Sequence, residues 1–252
     1  MKVSTKPAMH TAYSVRRKTL IVDLGSLRSV LSSAPRAGGI TRARYILNHQ
    51  VANNPIGSDS CGMGAGVRCA DPSRTLSKLA TSLGIRNKFV GLMTAVSLAD
   101  LVAVRAASDH IWVEGFVTVG TANAVRAGEP TTSRALTNGQ AHFGTINVIL
   151  VTNARLSASA MVGMVQVATE AKTAVLLHAK VRSWTGRSRA TGTGTDAVVV
   201  VGGSGPPMRY SGTHTIIGEL VGRVIETAVT EGLARYARRQ ARSQLRSRAK
   251  NP

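Results

Sequence analysis

An α+β domain, with a mixed β-sheet of several strands packed against about three main helices, is the fold class this sequence predicts. Three observations lead there. Apolar runs of strand length recur along the chain, among them residues 19–25, 89–94, 111–119, 144–152 and 197–201. Helical stripes follow capping residues at Asp71, Ser157 and Thr213. The 252 residues, 43% of them hydrophobic, are enough to bury one large core, and an aromatic content of 4% leaves Val, Ala, Leu and Ile to fill it.

Taken in order, residues 1–18 read as a basic flexible arm. Residues 19–25 have strand composition and stop at Gly25, and residues 29–34 form a second short strand closed by Pro35, so the pair reads as a hairpin. In the strand at 44–51, Tyr45, Leu47, His49 and Val51 share one face, and Ile46, Asn48 and Gln50 share the other. His49 on the more apolar face fits a core histidine with one hydrogen bond; it also fits a substrate-facing imidazole. Three consecutive polar side chains, Asn48, His49 and Gln50, are poor choices for packing alone.

Residues 52–70 make a long Gly/Asn/Ser loop, a lid or a mobile connection, which carries Cys61 and Cys69. Asp71-Pro72 then supplies an N-cap and a first helical position. Leu76, Leu79, Ala80 and Leu83 form the helical stripe and Gly84 the stop. Residues 89–94 read as a buried strand, residues 98–107 fit helix and strand equally, and residues 111–119 alternate as a strand. Residues 121–143 are loop-like, with Gly128, Pro130 and Asn138-Gly139.

The stretch 144–219 gathers most of the polar residues that stand where apolar ones are expected. In the strand at 144–152, Asn147 is a lone polar side chain near the start, placed to hold a loop or a ligand. Ser157 caps a helix running to about residue 179, with Met161, Met164, Val165, Ala168, Val175 and Leu176 as apolar surface. Gly163, Gln166, Glu170 and Thr173 share another face. Glu170 is either solvated there or part of a site.

Thr191-Gly192-Thr193-Gly194-Thr195-Asp196 combines glycines, which let the backbone approach a ligand, with alternating hydroxyls. A phosphate loop is a poor match, because the lysine is missing and a strand follows instead of a helix. Asp196 caps the turn or takes part in catalysis. In the last helix Thr213 is the expected cap. His214 sits in the first turn, where the positive helix end favours its neutral form.

A formal charge of +20 points towards nucleic acid, an anionic membrane surface or an acidic partner. Its distribution counters that, since many of the cations lie in residues 1–18 and in an Arg-rich C-terminal tail, 233–252, on either side of a domain at 19–232. The tail remains a landing surface for nucleic acid or another polyanion. Two cysteines match neither a disulfide framework nor a common zinc pattern, which suits a reducing cytoplasm. No apolar run reaches the ~18 residues of a membrane span. The N-terminal residues carry charge without an apolar h-region and small-residue cleavage site, so they are not expected to be a secretion signal.

Several of these segments together resemble the adenosylcobinamide amidohydrolases, the CbiZ family. They are Val30-Leu31-Ser32-Ser33-Ala34 with Gly38-Gly39, Tyr45 to Val51, Gly144-Thr145-Ile146-Asn147 and Ala154-Arg155-Leu156-Ser157. With them go Ala168-Thr169-Glu170-Ala171-Lys172, Ala190 to Asp196, and Gly212, His214 and Gly218-Glu219-Leu220. The resemblance covers roughly residues 19–230 in consistent order. It departs in the loop 52–70 and in the tail. It implies hydrolysis of the amide between aminopropanol and the corrinoid, from adenosylcobinamide to adenosylcobyric acid and 1-amino-2-propanol, in corrinoid salvage towards coenzyme B12.

The residues suit such a substrate. Asn48, His49, Asn147, Thr191 and Thr193 offer neutral hydrogen-bonding groups for a ring bearing many amides. Glu170, Asp196 and His214 are the candidate acids and bases, and the N–H groups of 192–195 could stabilise an oxyanion. No metal or cofactor is expected from the spacing of His, Cys and acidic residues. General acid–base attack by water is favoured, with Thr193 or Thr195 as an alternative nucleophile. A basic nucleic-acid-binding protein and a non-catalytic corrinoid-binding protein are the competing readings.

Overall fold

The computed structural model describes residues 9–51, 71–86, 88–130, 144–186 and 188–248, with side chains as far as Leu245. Expectations for 52–70, for Cys61 and Cys69 and for Asn138-Gly139 lie outside the described residues.

One mixed eight-stranded sheet organises the chain. Its strands are β1 (Ala12–Arg16), β2 (Thr19–Ser32), β3 (Gly39–Gln50), β4 (Phe89–Thr94), β5 (Val102–Ser108), β6 (Ile111–Val119), β8 (Ile146–Thr152) and β11 (Ala197–Val201). The path across it is β4-β3-β2-β11-β8-β6-β5, with β1 added along β2. Among the described residues two short ribbons lie outside this sheet: β7 (Ala124–Val125) with β10 (Gly192–Thr193), and β9 (Arg155–Leu156) with β12 (Pro207–Met208).

The expected hairpin at 19–34 is instead one 14-residue strand, β2. Its register with β3 shifts between Asp23 and Arg28. Gly25, at φ +73°, supplies the left-handed residue. The glycine that reads as a turn is therefore a bulge, which bends a strand without ending it. The bend has a large consequence. Before it, β2 pairs with β1 through residues 19–23; after it, β2 pairs with β11 through residues 30–32. The sheet thereby folds over on itself.

Leu20, Val22, Ile46, Val90 and Leu92 from the first half meet Phe116, Ile149, Val151, Val199 and Val201 from the second, in one inner core. Tyr13 of β1 packs edge-on against Phe116 of β6, ring centres 5.0 Å apart. Residues 12–16, within the expected arm, are thus an ordered edge strand. Ahead of them, the backbone N–H groups of His10 and Thr11 donate to the fully buried Glu114 carboxylate, Thr11 at 3.0 Å.

Helices cover both outer faces. Helix α1 (Pro72–Ser82) has Asp71 as N-cap, its carboxylate accepting from Ser73 N–H at 2.9 Å, and it buries Leu76 and Ala80 against Leu47 and Phe89. The other outer face carries α2 (Ala158–His178) and α3 (Ile216–Arg248), packed on Val113, Val117, Val148, Leu150 and Val200. The Ser157 hydroxyl caps α2 by accepting from Ala160 N–H at 3.1 Å. In length and composition α2 could cross a membrane, yet Met161, Met164, Ala168 and Leu176 lie buried in this core. The segment that fitted helix and strand equally is both: a single 3-10 turn at Leu98–Asp100, then β5.

Helix α3 differs from expectation at both ends. Its first-turn hydroxyl contact comes from Thr215, which accepts from Gly218 N–H at 3.1 Å, and not from Thr213. At the other end the helix runs unbroken to Arg248, through most of the expected tail. Arg235 donates to Leu101 O at 2.5 Å, and Arg239 grips both oxygens of the buried Asp100 carboxylate. Two tail arginines are therefore intramolecular staples, which leaves Arg238 and Arg242 as described, exposed cations beyond the domain.

Candidate active site

The parallel pair β8 and β11 begins side by side, Asn147 beside Ala197, and Asn147 also lies opposite Thr118 of β6. Thr145, Asn147, Lys172, Thr193 and Asp196 converge at this end of the folded sheet. A run of small or polar residues at strand starts fits here because the backbone ends its ladder and needs side-chain partners.

Asp196 is the hub. Its Oδ1 accepts from Ile146 N–H at 2.9 Å and from the Thr193 hydroxyl. Its Oδ2 accepts from Thr193 N–H at 3.0 Å and from Lys172 Nζ at 2.5 Å. Two carboxylate oxygens offer about four acceptor positions, so all are occupied. Lys172, on the second half of α2, is only 7% exposed. Gly192 makes the pair fit: a Cβ there would lie 2.7 Å from Asp196 Oδ2 and 3.1 Å from Lys172 Nζ. Asp196 is thus a turn-closing carboxylate and a charge partner at once.

An amide cluster adjoins it across the inner core. Asn147 Nδ2 donates to Asn48 Oδ1 at 3.0 Å and to Met93 O at 2.8 Å. Asn48 Nδ2 donates to Thr118 Oγ1 at 3.3 Å. Both asparagines are 1% exposed. Asn147 therefore joins β8 in one half of the sheet to β3 and β4 in the other. The Thr145 hydroxyl lies between the two groups, 3.2 Å from Asn147 Oδ1 and 2.9 Å from Thr195 O.

The remaining expected site residues lie elsewhere. His49 is on the outer face of β3, where its Nδ1 is 2.9 Å from Thr19 Oγ1 and burial holds the imidazole below its usual range. Thr191 turns its hydroxyl to Ala127 N–H, at 2.9 Å, and so braces the loop from behind. Glu170 is exposed and accepts from Gln166 Nε2 at 3.3 Å. His214 is exposed near the opposite end of α2, since Ser211 Oγ donates to Ala160 O at 2.6 Å. From residue 160 to residue 172 the helix rises by about 18 Å. Neither Glu170 nor His214 joins the cluster around Asp196.

Lys172, Thr145 and Thr118 are not among the site residues expected from sequence, although Lys172 and Thr145 fall within the family segments. For Lys172 a signal was present: it continues the buried stripe Met161, Met164, Ala168 at the next helical step, so a cation sits where an apolar side chain belongs. The others are ordinary strand or loop residues until the sheet folds over. Among the described residues, no three of His, Cys, Asp and Glu gather to hold a metal ion.

A second carboxylate gathers the turn at residues 183–188, which precedes the Gly/Thr loop. Glu129 accepts from the Ser183 and Ser188 hydroxyls, from Thr185 Oγ1 at 3.0 Å and from Arg126 N–H at 3.1 Å. These bonds, that of Ser183 foremost and then Ser188, lower its pKa from 4.5 to about 2. A lowered carboxylate stabilises the fold fully above its unfolded pKa and loses that contribution as pH falls through its folded one. The stability gap between the native chain and Glu129→Gln should therefore be constant above pH 4.5 and close between there and about 2. Thermal melts of both proteins across this range check it.

The family model for adenosylcobinamide amidohydrolase, CbiZ, matches residues 2–241. An adenosylcobinamide amidohydrolase of Methanosarcina mazei is 29% identical over 233 residues, covering 88% of this chain and 96% of that protein. An uncharacterized protein of Methanocaldococcus jannaschii is 29% identical over 231 residues, covering 86% of each chain. Among solved structures, a protein of Pyrococcus horikoshii aligns over 93% of this chain and 82% of its own, at TM-score 0.46 and 10% identity. A β-aminopeptidase of a Burkholderia species aligns over 92% and 82%, at TM-score 0.44 and 9% identity. With the family model spanning nearly its whole length, the chain belongs to the adenosylcobinamide amidohydrolase family, a family of hydrolases.

Proposed function

We propose that this chain hydrolyses the amide joining aminopropanol to the corrinoid of adenosylcobinamide. Adenosylcobyric acid and 1-amino-2-propanol are released, as a salvage step towards coenzyme B12 in the cytoplasm. Water supplies the hydroxyl of the new acid and a proton for the departing amine.

The observation that carries the proposal is the pairing of a buried amide cluster with one buried ion pair at the strand starts. A buried neutral layer of Asn48, Asn147 and Thr118 next to the ion pair suits a neighbouring ligand rich in uncharged amides. Among the described residues of that cluster the opposite charges are those of the Lys172–Asp196 pair, an arrangement that suits an amide carbonyl better than a polyanion. Gly194, an exposed residue beside Thr193, offers a backbone N–H for a developing oxyanion, while the Thr195 N–H is directed at Thr193 Oγ1, 3.5 Å away. Asn48, Asn147 and Thr193 are assigned to the substrate side of the site. His49 and Thr191 support it through the strand and loop they brace.

Incubation of the purified protein with adenosylcobinamide, followed by chromatography for adenosylcobyric acid, tests the reading. Substrate binding without product would leave a corrinoid-binding protein and no enzyme. Among variants, Asp196→Asn should lower turnover by about a hundredfold or more, on the scale of losing a preorganised polar group. Glu170→Gln and His214→Ala should stay within a few-fold of the native chain, because both side chains lie outside the cluster. A loss with His214→Ala as deep as that with Asp196→Asn would overturn this division of roles.

A further inference from the structure

We infer that Thr145 is the nucleophile, and that the Lys172–Asp196 pair positions it and does not take its proton. The inference rests on the amide-hydrolysis reading above and goes beyond it, by replacing direct attack of water with a covalent ester.

The first ground is elimination among the hydroxyls. Thr193 Oγ1 donates to Asp196, and Thr195 Oγ1 donates to Gly144 O at 3.1 Å. Thr118 Oγ1 is the acceptor of Asn48. Thr145 is different. Its one proton can serve either Asn147 Oδ1 at 3.2 Å or Thr195 O at 2.9 Å, so its oxygen can turn without losing every partner.

The second ground is that the surroundings fix this one residue from all sides. Thr195 Oγ1 holds the carbonyl before it, Gly120 N–H holds its own carbonyl at 3.0 Å, and Asp196 holds the N–H after it. Such convergence on a single strand-start residue is what a positioned reactive group requires. Asp196 achieves it with every acceptor position filled. It has no free lone pair to receive a proton from water or from threonine, which makes it a positioning residue.

The third ground points to a ligand. Asn123 Oδ1 is buried without a hydrogen-bond partner, whereas buried polar atoms are almost always satisfied. It lies beside Gly144: a Cβ on that glycine would be 2.7 Å from it. An orphaned acceptor next to the nucleophile matches the N–H of a substrate amide.

The chemistry balances in two steps. Thr145 Oγ bonds to the carbonyl carbon, the C–N bond breaks, and the hydroxyl proton leaves on the amine of 1-amino-2-propanol. The corrinoid acyl group is then an ester of Thr145. Water adds to that carbonyl, the Oγ–C bond breaks, and one water proton returns to Oγ, giving the free acid.

The test compares the native chain with Thr145→Val and Thr145→Ser. Acid-quenched reactions are analysed by peptide mass spectrometry, and hydroxylamine is added to intercept an ester as the hydroxamate. We expect a corrinoid acyl adduct on the peptide carrying position 145 and hydroxamate formation by the native chain. Thr145→Val should lose about a thousandfold or more in kcat, as nucleophile deletions do, with adenosylcobinamide affinity within about threefold. Should the valine variant fail to fold, Thr145→Ser decides: turnover with an adduct at position 145 supports the assignment. Turnover of Thr145→Val within about tenfold of native overturns it, on the same scale of nucleophile deletions. So does an adduct on Thr193 or Thr195, or turnover of native chain and Thr145→Ser with neither adduct nor hydroxamate. A native chain inert towards adenosylcobinamide would instead defeat the substrate reading itself.

Discussion

Lys172→Met should be the most damaging single substitution on the α2 side of the site, in stability and in turnover together. Lys172 is 7% exposed and its ammonium lies 2.5 Å from Asp196 Oδ2. Met fills a similar volume but removes the charge, so Asp196 keeps a negative charge inside the protein with only neutral donors around it. Breaking a buried pair from one side costs about 3–5 kcal/mol. For a domain of this size that corresponds to a fall in Tm of roughly 6–20 °C.

Asp196→Asn in the same background should restore part of the loss, because both charges are then gone, while turnover stays low. That non-additivity separates a true pair from two independent residues. Lys172→Arg should not rescue, since Gly192 already leaves no room for a Cβ beside the pair. Melting of Lys172→Met within about 2 °C of native, a shift worth under about 1 kcal/mol, would show that the pair is not a buried charge contact.

How far the sequence reveals such a site depends on which physical signal each residue carries. Asp71-Pro72, Ser157 and the alternation at 111–119 and 146–152 are local signals, and the structure has α1, α2, β6 and β8 where they point. The inner and outer faces of β8 also follow from period two: Ile149 and Val151 enter the inner core, Val148 and Leu150 the helix-covered one. Gly25 misleads because a left-handed glycine serves a bulge as well as a turn, and only pairing across the sheet distinguishes them. The Arg-rich end of α3 misleads similarly: a charge run looks solvated until Asp100 and Leu101, some 135 residues earlier in sequence, are brought beside it.

The site divides along the same line. Asp196 and Thr193 stand three residues apart in a Gly/Thr loop, so their contact is local and legible. Asn48 and Asn147 are each legible as a polar residue on an apolar strand face, but their partnership is not, being separated by 99 positions. Glu170 and His214 are the reverse case. Their residue types suit acid–base work, and helix position alone cannot show that both side chains face solvent at places the Asp196 cluster does not reach.

Asn147→Asp, a change of one atom in kind and almost none in size, should therefore do more harm than Asn147→Ala. In the native chain the amide nitrogen donates to Asn48 Oδ1 at 3.0 Å and to Met93 O at 2.8 Å. Aspartate puts a second acceptor against those two acceptors, and as an ion it is buried without a cation among its named partners. Alanine merely leaves the two oxygens unpartnered, at about 1–3 kcal/mol each. Asn147→Ala should then lower Tm by roughly 4–24 °C, and Asn147→Asp by more at neutral pH. The aspartate variant should recover as pH falls and its carboxyl regains a proton, since its folded pKa is raised by burial and the penalty applies only to the ion. Because Asn147 ties the two halves of the folded sheet beside the proposed site, turnover should fall with the same order. Melting curves and initial rates for the three proteins between pH 5 and pH 8 decide it, and an aspartate variant as stable as the alanine one throughout would mean that the amide clamp does not hold the sheets together.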